Sequence, residues 1–188
     1  MRHSSQVCLW LATLGLVRFT SGAADTSVTD YPPPAVLKRA YELINLARAE
    51  SRQCGSEYFA AAGPLSASEI LQRAALGHAQ DMARQHYFEH QGLDGSAPRD
   101  RLARLGYNSR MTGENIAYGP ESAEEVVAGW LASPGHSANI MDARFQEMGL
   151  AYAIDSTRHV TYWVQALASP GRPPRAAAPP DRGTKGRP

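Results

Sequence analysis

Two apolar and aromatic runs near the end of the chain, residues 148–154 and 160–167, constrain the fold most strongly. They flank the polar stretch 155–159, and this arrangement predicts an antiparallel β-hairpin. Helical patterns fill most of the chain before the hairpin, with one brief extended piece predicted at 114–118. Because helices come first and strands come late, rather than in alternation, the sequence predicts an α+β fold with an antiparallel sheet.

Helical spacing of apolar residues and two capping boxes locate the helices. The predicted helices span about 34–52, 66–86, 98–106, 122–133 and 136–141. Ser66 and Ser122 are the predicted N-caps of the second and fourth helices, each with a glutamate three residues later. The Pro-Gly pair at 134–135 is expected to break the chain before a short helix that begins at His136. Residues 53–64 are predicted to form a loop.

The first 24 residues have the features of a secretory signal peptide. Arg2 supplies a positive charge, residues 7–17 form a mostly apolar run, and small residues at 22–24 suit a signal peptidase. The run is too short for a permanent membrane helix, and an uncleaved anchor is the alternative. We therefore expect an exported protein, periplasmic or extracellular, whose mature chain begins near Asp25 and has no transmembrane anchor.

Composition divides the remaining chain into a leader at 25–34, a domain at 35–168 and a tail at 169–188. The tail is rich in Pro, Gly, Ala and Arg, which predicts disorder, with a weak contact to anionic envelope polymers as the alternative. Residues 25–168 carry twelve basic and seventeen acidic side chains. This net-acidic body argues against nucleic acid as a partner, because phosphate binding needs a concentrated basic face.

Cys54 is the one cysteine left after removal of the signal segment, since Cys8 lies within that segment. A lone thiol cannot form an internal disulfide, so packing alone must hold the domain together. Nothing nearby in the sequence would activate the thiol. We therefore predict that Cys54 is a structural residue, buried or modestly exposed.

Two of the six histidines, His90 and His136, lie in irregular segments flanked by glycine. Such segments often hold binding and catalytic groups. Glu114 lies between them in sequence, at another loop-to-strand junction. Two imidazoles and one carboxylate suit a catalytic zinc ion with an open position for water. The same groups could act as general acid and base without a metal, and three unrelated surface residues are the remaining alternative.

The other candidate groups are weaker. His78 lies on the apolar face of its helix, where a structural histidine is expected more often than a ligand. His86 is expected to interact with the negative end of its helix, and His159 to be solvated in the hairpin turn. Ser133 lies three residues before His136, but it lacks the G-x-S-x-G elbow and stands at a helix stop, so it is a poor candidate nucleophile.

Several segments together resemble the bacterial branch of the CAP superfamily, the cysteine-rich secretory, antigen 5 and pathogenesis-related proteins. They are Tyr-Phe-Glu-His at 87–90 with the helix segment 78–83, Gly-Glu-Asn-Ile-Ala at 113–117, Trp-Leu-Ala-Ser-Pro-Gly-His-Ser-Ala-Asn-Ile-Met at 130–141, Phe-Gln-Glu-Met-Gly at 145–149 and Tyr-Trp-Val-Gln at 162–165. The resemblance covers about residues 36–167. It implies a three-layer α-β-α sandwich with a central antiparallel sheet, and a cleft where two histidines meet acidic residues.

Carried over residue by residue, the resemblance places His90, Glu114 and His136 in that cleft. Ser133 stands where animal and plant relatives often have a glutamate, so the resemblance supports a three-residue metal site rather than a mechanism with two carboxylates. Similar bacterial proteins often pair a cysteine at the position of Cys54 with one at the position of Ser137. The expected disulfide is therefore missing here, and the two side chains are expected to be neighbours.

The resemblance brings no single reaction with it, so three functions are considered. The first is a secreted binding module whose cleft holds a divalent metal such as zinc or a small ligand, and whose grooves take up lipid or cell-envelope material. The second is a peptidase-like hydrolase that uses His90, Glu114 and His136 with zinc or as acid and base. The third is a non-catalytic interaction domain. The missing acid and the lack of a convincing nucleophile favour the first function, without catalysis.

Overall fold

Five α-helices and six β-strands form the part of the chain that the structure describes, residues 34–171 of a computed structural model. They are α1 (Pro34–Arg48), β1 (Arg52–Cys54), β2 (Glu57–Phe59), β3 (Ser66–Ala67), α2 (Glu69–Gln85), α3 (Pro98–Arg104), β4 (Ser109–Tyr118), α4 (Ala123–Ala132), α5 (Pro134–Met141), β5 (Glu147–Asp155) and β6 (Val160–Pro170). The predicted signal peptide, the leader up to residue 33 and the tail from residue 172 lie outside the described residues. Within them, no helix combines the length and apolar character needed to cross a membrane.

The predicted hairpin is the centre of the main sheet. β5 and β6 pair antiparallel, β4 pairs antiparallel with the other side of β6, and the two-residue β3 joins β5 in parallel. The strand order is therefore β3-β5-β6-β4, with β4 at one edge. The extended piece predicted at 114–118 is the second half of β4, which is ten residues long.

Helices cover both faces of this sheet, which makes the predicted α-β-α sandwich. β6 is mostly apolar because its alternate residues face opposite sides of the sheet and both sides are covered by helices. Trp163 and Leu167 pack into one core with α1, α4 and α5. Tyr162 and Val164 point the other way, into a second core with α2 and α3.

Two predictions about the first half of the chain were wrong. Residues 53–64 are not simply a loop, because β1 and β2 form a short antiparallel hairpin with Gly55 in a left-handed conformation. The N-cap of α2 is Ser68 rather than Ser66. Ser66 belongs to β3, where its N–H donates to the carbonyl of Gln146 and pairing with the sheet replaces capping.

The second capping box holds in part. The Ser122 hydroxyl accepts from the N–H of Glu125 at 3.1 Å and begins α4 as predicted. The Glu125 carboxylate bonds to the N–H of Glu121 instead of that of the N-cap. α4 ends before the Pro-Gly pair as predicted, but both residues of the pair belong to α5, which begins at Pro134, two residues before His136.

The main sheet extends two residues past the domain end predicted at residue 168. β6 continues to Pro170, and Ser169 is fully buried. The Ser169 hydroxyl donates to the carbonyl of Arg144, and its backbone pairs with Met111 of β4. Composition alone suggested a boundary here, but this buried hydrogen bond keeps two more residues in the sheet.

A buried arginine joins α1 to the end of α5. Arg48 is 1% exposed, and its Nη1 donates to the carbonyls of Ile140 at 2.5 Å and Asp142 at 3.1 Å. Its Nε donates to the carbonyl of Gly63 at 2.7 Å. The carbonyls at a helix C-terminus lack partners within the helix and favour a cation. Arg48 therefore closes α5 and fixes the segment before β3 at the same time.

Cys54 is a buried free thiol, as predicted. Its Sγ lies 2.7 Å from the Oγ of Ser137 on α5, so the two positions are neighbours across the interface of β1 and α5. The contact stands where the resemblance implied a disulfide, and it leaves this chain with a hydrogen bond there.

We expect Gly149→Ala to destabilise the fold, because α2 packs directly on the β5 backbone at this residue. A Cβ at Gly149 would lie 2.1 Å from the backbone nitrogen of Gln72. Overpacking of this kind typically costs about 1–3 kcal/mol of unfolding free energy. The control is Gly129→Ala on α4, where a Cβ meets nothing within 4 Å and the helix should gain roughly 0.5–1 kcal/mol. Equal stability of the two variants in urea unfolding would contradict the packing.

We expect Ser137→Cys to form a disulfide with Cys54 on oxidation. The native Sγ–Oγ distance of 2.7 Å needs only a small adjustment to reach the S–S bond length of about 2.05 Å. A bridge that closes so long a loop should stabilise the domain by about 2–4 kcal/mol. Thiol titration and thermal melting of the oxidised and reduced forms of the same variant test this. Free thiols after oxidation, without a gain in melting temperature, would refute it.

Candidate functional site

His90 lies in the irregular connection between α2 and α3, and two contacts fix its place. Its Nδ1–H donates to Oε1 of Glu114 at 2.9 Å. Its backbone carbonyl accepts from Nη1 of Arg101 at 3.1 Å. The side chain remains 51% exposed, so the rest of the ring is open to solvent.

Glu114 is the buried carboxylate of the site. It lies on β4 with its side chain only 3% exposed, and Nη2 of Arg101 donates to its Oε2 at 2.5 Å. The Nε2 of His78 lies 3.9 Å from Oε1. With His90 on Oε1 and Arg101 on Oε2, both carboxylate oxygens are engaged and the buried charge is compensated.

Arg101 organises the loop as well as the carboxylate. It projects from α3 with its side chain 11% exposed, and its Nη1 also donates to the carbonyl of Ser96 at 3.0 Å. A planar guanidinium can serve several acceptors in fixed directions, which an ammonium group cannot. Arg101 therefore ties the α2–α3 connection to β4.

His136 is held through its backbone. It is the third residue of α5, half-buried, and its carbonyl accepts from Nδ2 of Asn115 at 3.2 Å. Asn115 also donates to Gln165 at 2.8 Å and accepts from Asn139 at 2.9 Å. Nδ2 of Asn139 also lies 3.3 Å from the Glu114 carbonyl. This amide network fixes α5 against β4 and β6.

The two imidazoles have opposite pKa shifts. The hydrogen bond from His90 to Glu114 raises the pKa of His90 above its ordinary value. Burial, followed by the charge of His90, lowers the pKa of His136. The second cause shows that His90 and His136 lie within range of each other's charge. His90 therefore holds its proton more tightly than His136 does.

The structure brings His90 and Glu114 into contact and leaves His136 nearby. It does not assemble the predicted three-ligand metal set, because Glu114 is engaged by His90 and Arg101. Among residues 34–171, no three His, Cys, Asp or Glu side chains are grouped in a way that could hold a metal ion. Ser133 lies at the junction of α4 and α5 without a side-chain capping bond, and no hydrogen bond joins its hydroxyl to His136 in this described part of the chain.

The remaining histidines have structural contacts. His78 is buried, and its Nε2–H donates to the carbonyl of Glu89 at 3.0 Å, as expected of a structural histidine. Burial lowers the pKa of His78. His86 caps α2 in a left-handed conformation and bonds to Asp155 at 2.8 Å, a partner that helix position alone did not predict. His159 is exposed in the β5–β6 turn.

Sequence reasoning missed Arg101 and the amide network. A charged residue on a short exposed helix gives no sign of a buried partner. The amides were more visible, because Gln165 is a polar residue within an otherwise apolar strand. A polar side chain in such a position must find a hydrogen-bond partner.

The fold and this cleft define an SCP-like domain. The chain belongs to the CAP family, described as the cysteine-rich secretory protein family, whose family model matches residues 41–167. Among curated proteins, the uncharacterised YkwD of Bacillus subtilis is 33% identical over 130 residues. The match covers 69% of this chain and 48% of YkwD, so the chain spans about half the length of that relative.

Solved structures share the fold. An extracellular SCP-domain protein from Bacillus anthracis has a TM-score of 0.59 at 24% identity, over 70% of this chain and 39% of that one. An outer surface protein from Borrelia burgdorferi has a TM-score of 0.62 at 20% identity, over 73% and 95%. NaASP2, solved with Zn2+, has a TM-score of 0.50 at 16% identity, over 78% and 83%. The neighbours thus include extracellular and outer-surface proteins.

We expect Glu114→Gln to lower the pKa of His90, because the variant removes the carboxylate that stabilises the imidazolium. NMR titration of the imidazole resonances measures this. In the native protein, the His90–Glu114 pair stabilises fully below about pH 6.5, the ordinary histidine value, and this contribution is lost as the pH rises through the raised pKa of His90. The stability effect is small, since His90 is half exposed. An unchanged titration of His90 in the variant would contradict the assigned contact.

Proposed function

We propose that this chain is an exported CAP-family binding domain whose His90 and His136 together take up a divalent metal ion, with zinc the first to test. The supporting observation is the hydrogen bond from His90 Nδ1 to Glu114 at 2.9 Å. A histidine that binds a metal usually donates its other ring N–H to a carboxylate or carbonyl, which orients the ring and raises its basicity. Glu114 has this relation to His90, so Nε2 is the nitrogen left for the ion.

The donor set fits a metal with Glu114 in a supporting position rather than as a ligand. Arg101 neutralises the carboxylate and occupies Oε2. The two imidazoles remain, and zinc accepts imidazole nitrogen while water or a bound ligand fills its other positions. Because a ligating histidine must be unprotonated, His90 must lose its proton when the ion binds, and the affinity should increase with pH.

The same contacts favour binding over hydrolysis. A bound zinc ion supplies Lewis acidity and a polarised water. A hydrolase would also need a free base beside it, and Glu114 is already committed to His90 and Arg101. Ser133 offers no nucleophile pair in the described part of the chain, because its hydroxyl is not bonded to His136. Peptidase-like hydrolysis therefore remains the alternative function.

We place this activity outside the cytoplasm. The support is the signal-like segment at 1–24 and the extracellular or outer-surface description of structural neighbours. A small ligand, lipid or cell-envelope component would then be the partner that completes the metal coordination or occupies a groove.

Zinc titration calorimetry and metal content of the purified chain test the proposal at near-neutral pH without chelator. We expect His90→Ala and His136→Ala each to weaken zinc binding by at least about tenfold, since a two-histidine site cannot spare a ligand. Glu114→Gln should weaken it by about 10–100-fold, as loss of an orienting carboxylate does in other zinc sites. The matched control is His159→Ala, an exposed histidine in the β5–β6 turn, which should bind zinc as the native chain does.

The outcomes separate the candidate functions. Zinc affinity that is unaffected by His90→Ala would overturn the proposed site. Absence of zinc binding in the native chain would overturn the metal proposal and favour lipid and envelope ligands. Zinc-dependent peptide or ester hydrolysis lost in both histidine variants would replace the binding function with the hydrolase.

A further inference from the structure

A cavity of about 420 Å³ opens between α2, the 92–96 loop and α3. The three cleft residues, His90, Glu114 and His136, are not among the residues that line it. Two of its lining residues, His78 and Arg101, also lie beside Glu114 and separate the cavity from the cleft. A volume of this size falls within the range of small-molecule sites. It is therefore a concave site beside the His90–Glu114 contact.

Three arginines line this cavity. Arg84 comes from α2, and Arg101 and Arg104 come from α3. Arg84 is exposed, and within residues 34–171 its guanidinium has no salt-bridge or hydrogen-bond partner. A guanidinium group can donate two parallel hydrogen bonds to an oxyanion, and Arg84 is the lining arginine whose donors are available.

The carboxylates in the lining are already engaged by the protein. Asp94 accepts from Nη1 of Arg104 at 2.5 Å and from the N–H of Ser96 at 2.9 Å. Asp81 accepts from the hydroxyl of Tyr87 at 2.5 Å. Hydrogen bonds to these carboxylates reduce their ability to attract a cationic ligand, while Arg84 retains its full donor capacity.

The rim of the cavity is preorganised. The N–H of Gly92 donates to the carbonyl of Ser96 at 2.9 Å, and that of Gly95 donates to Gly92 at 2.8 Å. A Cβ at Gly92 would lie 2.8 Å from Oδ1 of Asp94, so the side chains of this turn pack closely around the glycine. Arg101 donates to the Ser96 carbonyl and so holds the same loop. A ligand would therefore meet a loop that is already ordered, which reduces the entropic cost of binding.

We propose that this arginine-lined cavity is a binding site for a small oxyanion-bearing molecule, with a carboxylate or phosphate group placed between Arg84 and the α3 arginines. Arg84 is the residue whose donors are free to make the principal contact. Arg101 closes the inner side of the site, where its guanidinium already serves Glu114. The proposed site does not rest on the metal function, since neither His90 nor His136 lines the cavity.

Inorganic phosphate and acetate are the probes, titrated into the full chain by calorimetry at constant ionic strength maintained with chloride. Saturable binding of at least one probe is expected. Arg84→Ala should raise its dissociation constant by about tenfold, the loss that corresponds to a charge-assisted hydrogen bond. Binding of phosphate alone would assign a phosphoryl ligand, and binding of acetate as well would assign a carboxylate ligand.

The matched control is Arg99→Ala, which removes an exposed arginine of α3 that does not line the cavity. Both variants keep the ion pairs described above, so circular dichroism should show both folded. Affinity reduced only by Arg84→Ala supports the site. Equal affinities for the two variants, or no saturable binding of either probe to the native chain, would overturn it. Zinc binding by the Arg84→Ala variant, measured without either probe, should equal that of the native chain, which separates this site from the histidine cleft.

Discussion

Burial of the Glu114 carboxylate is the constraint on which the cleft depends. An ionised carboxylate with a 3% exposed side chain is costly unless charged groups and hydrogen bonds replace its water. His90 and Arg101 do this from a loop and from α3, so that connection cannot move independently of β4. The interaction that makes the buried charge tolerable also places the half-exposed imidazole of His90 at the cleft.

The alternation of a β-strand explains how the two histidines come to one place. Consecutive residues of a strand point to opposite faces. Glu114 accepts a hydrogen bond from His90 in the α2–α3 connection. Asn115 donates hydrogen bonds to Gln165 and to the backbone carbonyl of His136 in α5. Each histidine thus belongs to a different helical layer, and β4 holds both. β4 lies at the sheet edge, and the His90 side chain beside it remains 51% exposed.

The sequence predicted what depends on local pattern and missed what depends on long-range contacts. The β5–β6 hairpin and the helical layers follow from apolar runs and spacing, and resemblance placed His90, Glu114 and His136 in one cleft. The N-cap at Ser66 was wrong because pairing with β5 competes for that residue. Arg101 was missed because its partner, the Glu114 carboxylate, lies on a different element, and no spacing rule predicts such a long-range contact. The Cys54–Ser137 contact came from the resemblance, since a single cysteine indicates no partner.

Arg101 connects the histidine cleft to the arginine-lined cavity. Its guanidinium group donates to the Glu114 carboxylate and also lines the cavity. An oxyanion that accepts hydrogen bonds from Arg101 would weaken the Arg101–Glu114 contact. Because Glu114 also accepts from His90, the orientation of His90 would change as well. Coupling between two binding sites is reciprocal, so an ion at the histidines would then affect oxyanion affinity by the same factor. The Glu114 carboxylate, shared by an imidazole and an arginine, would thus couple the two proposed sites.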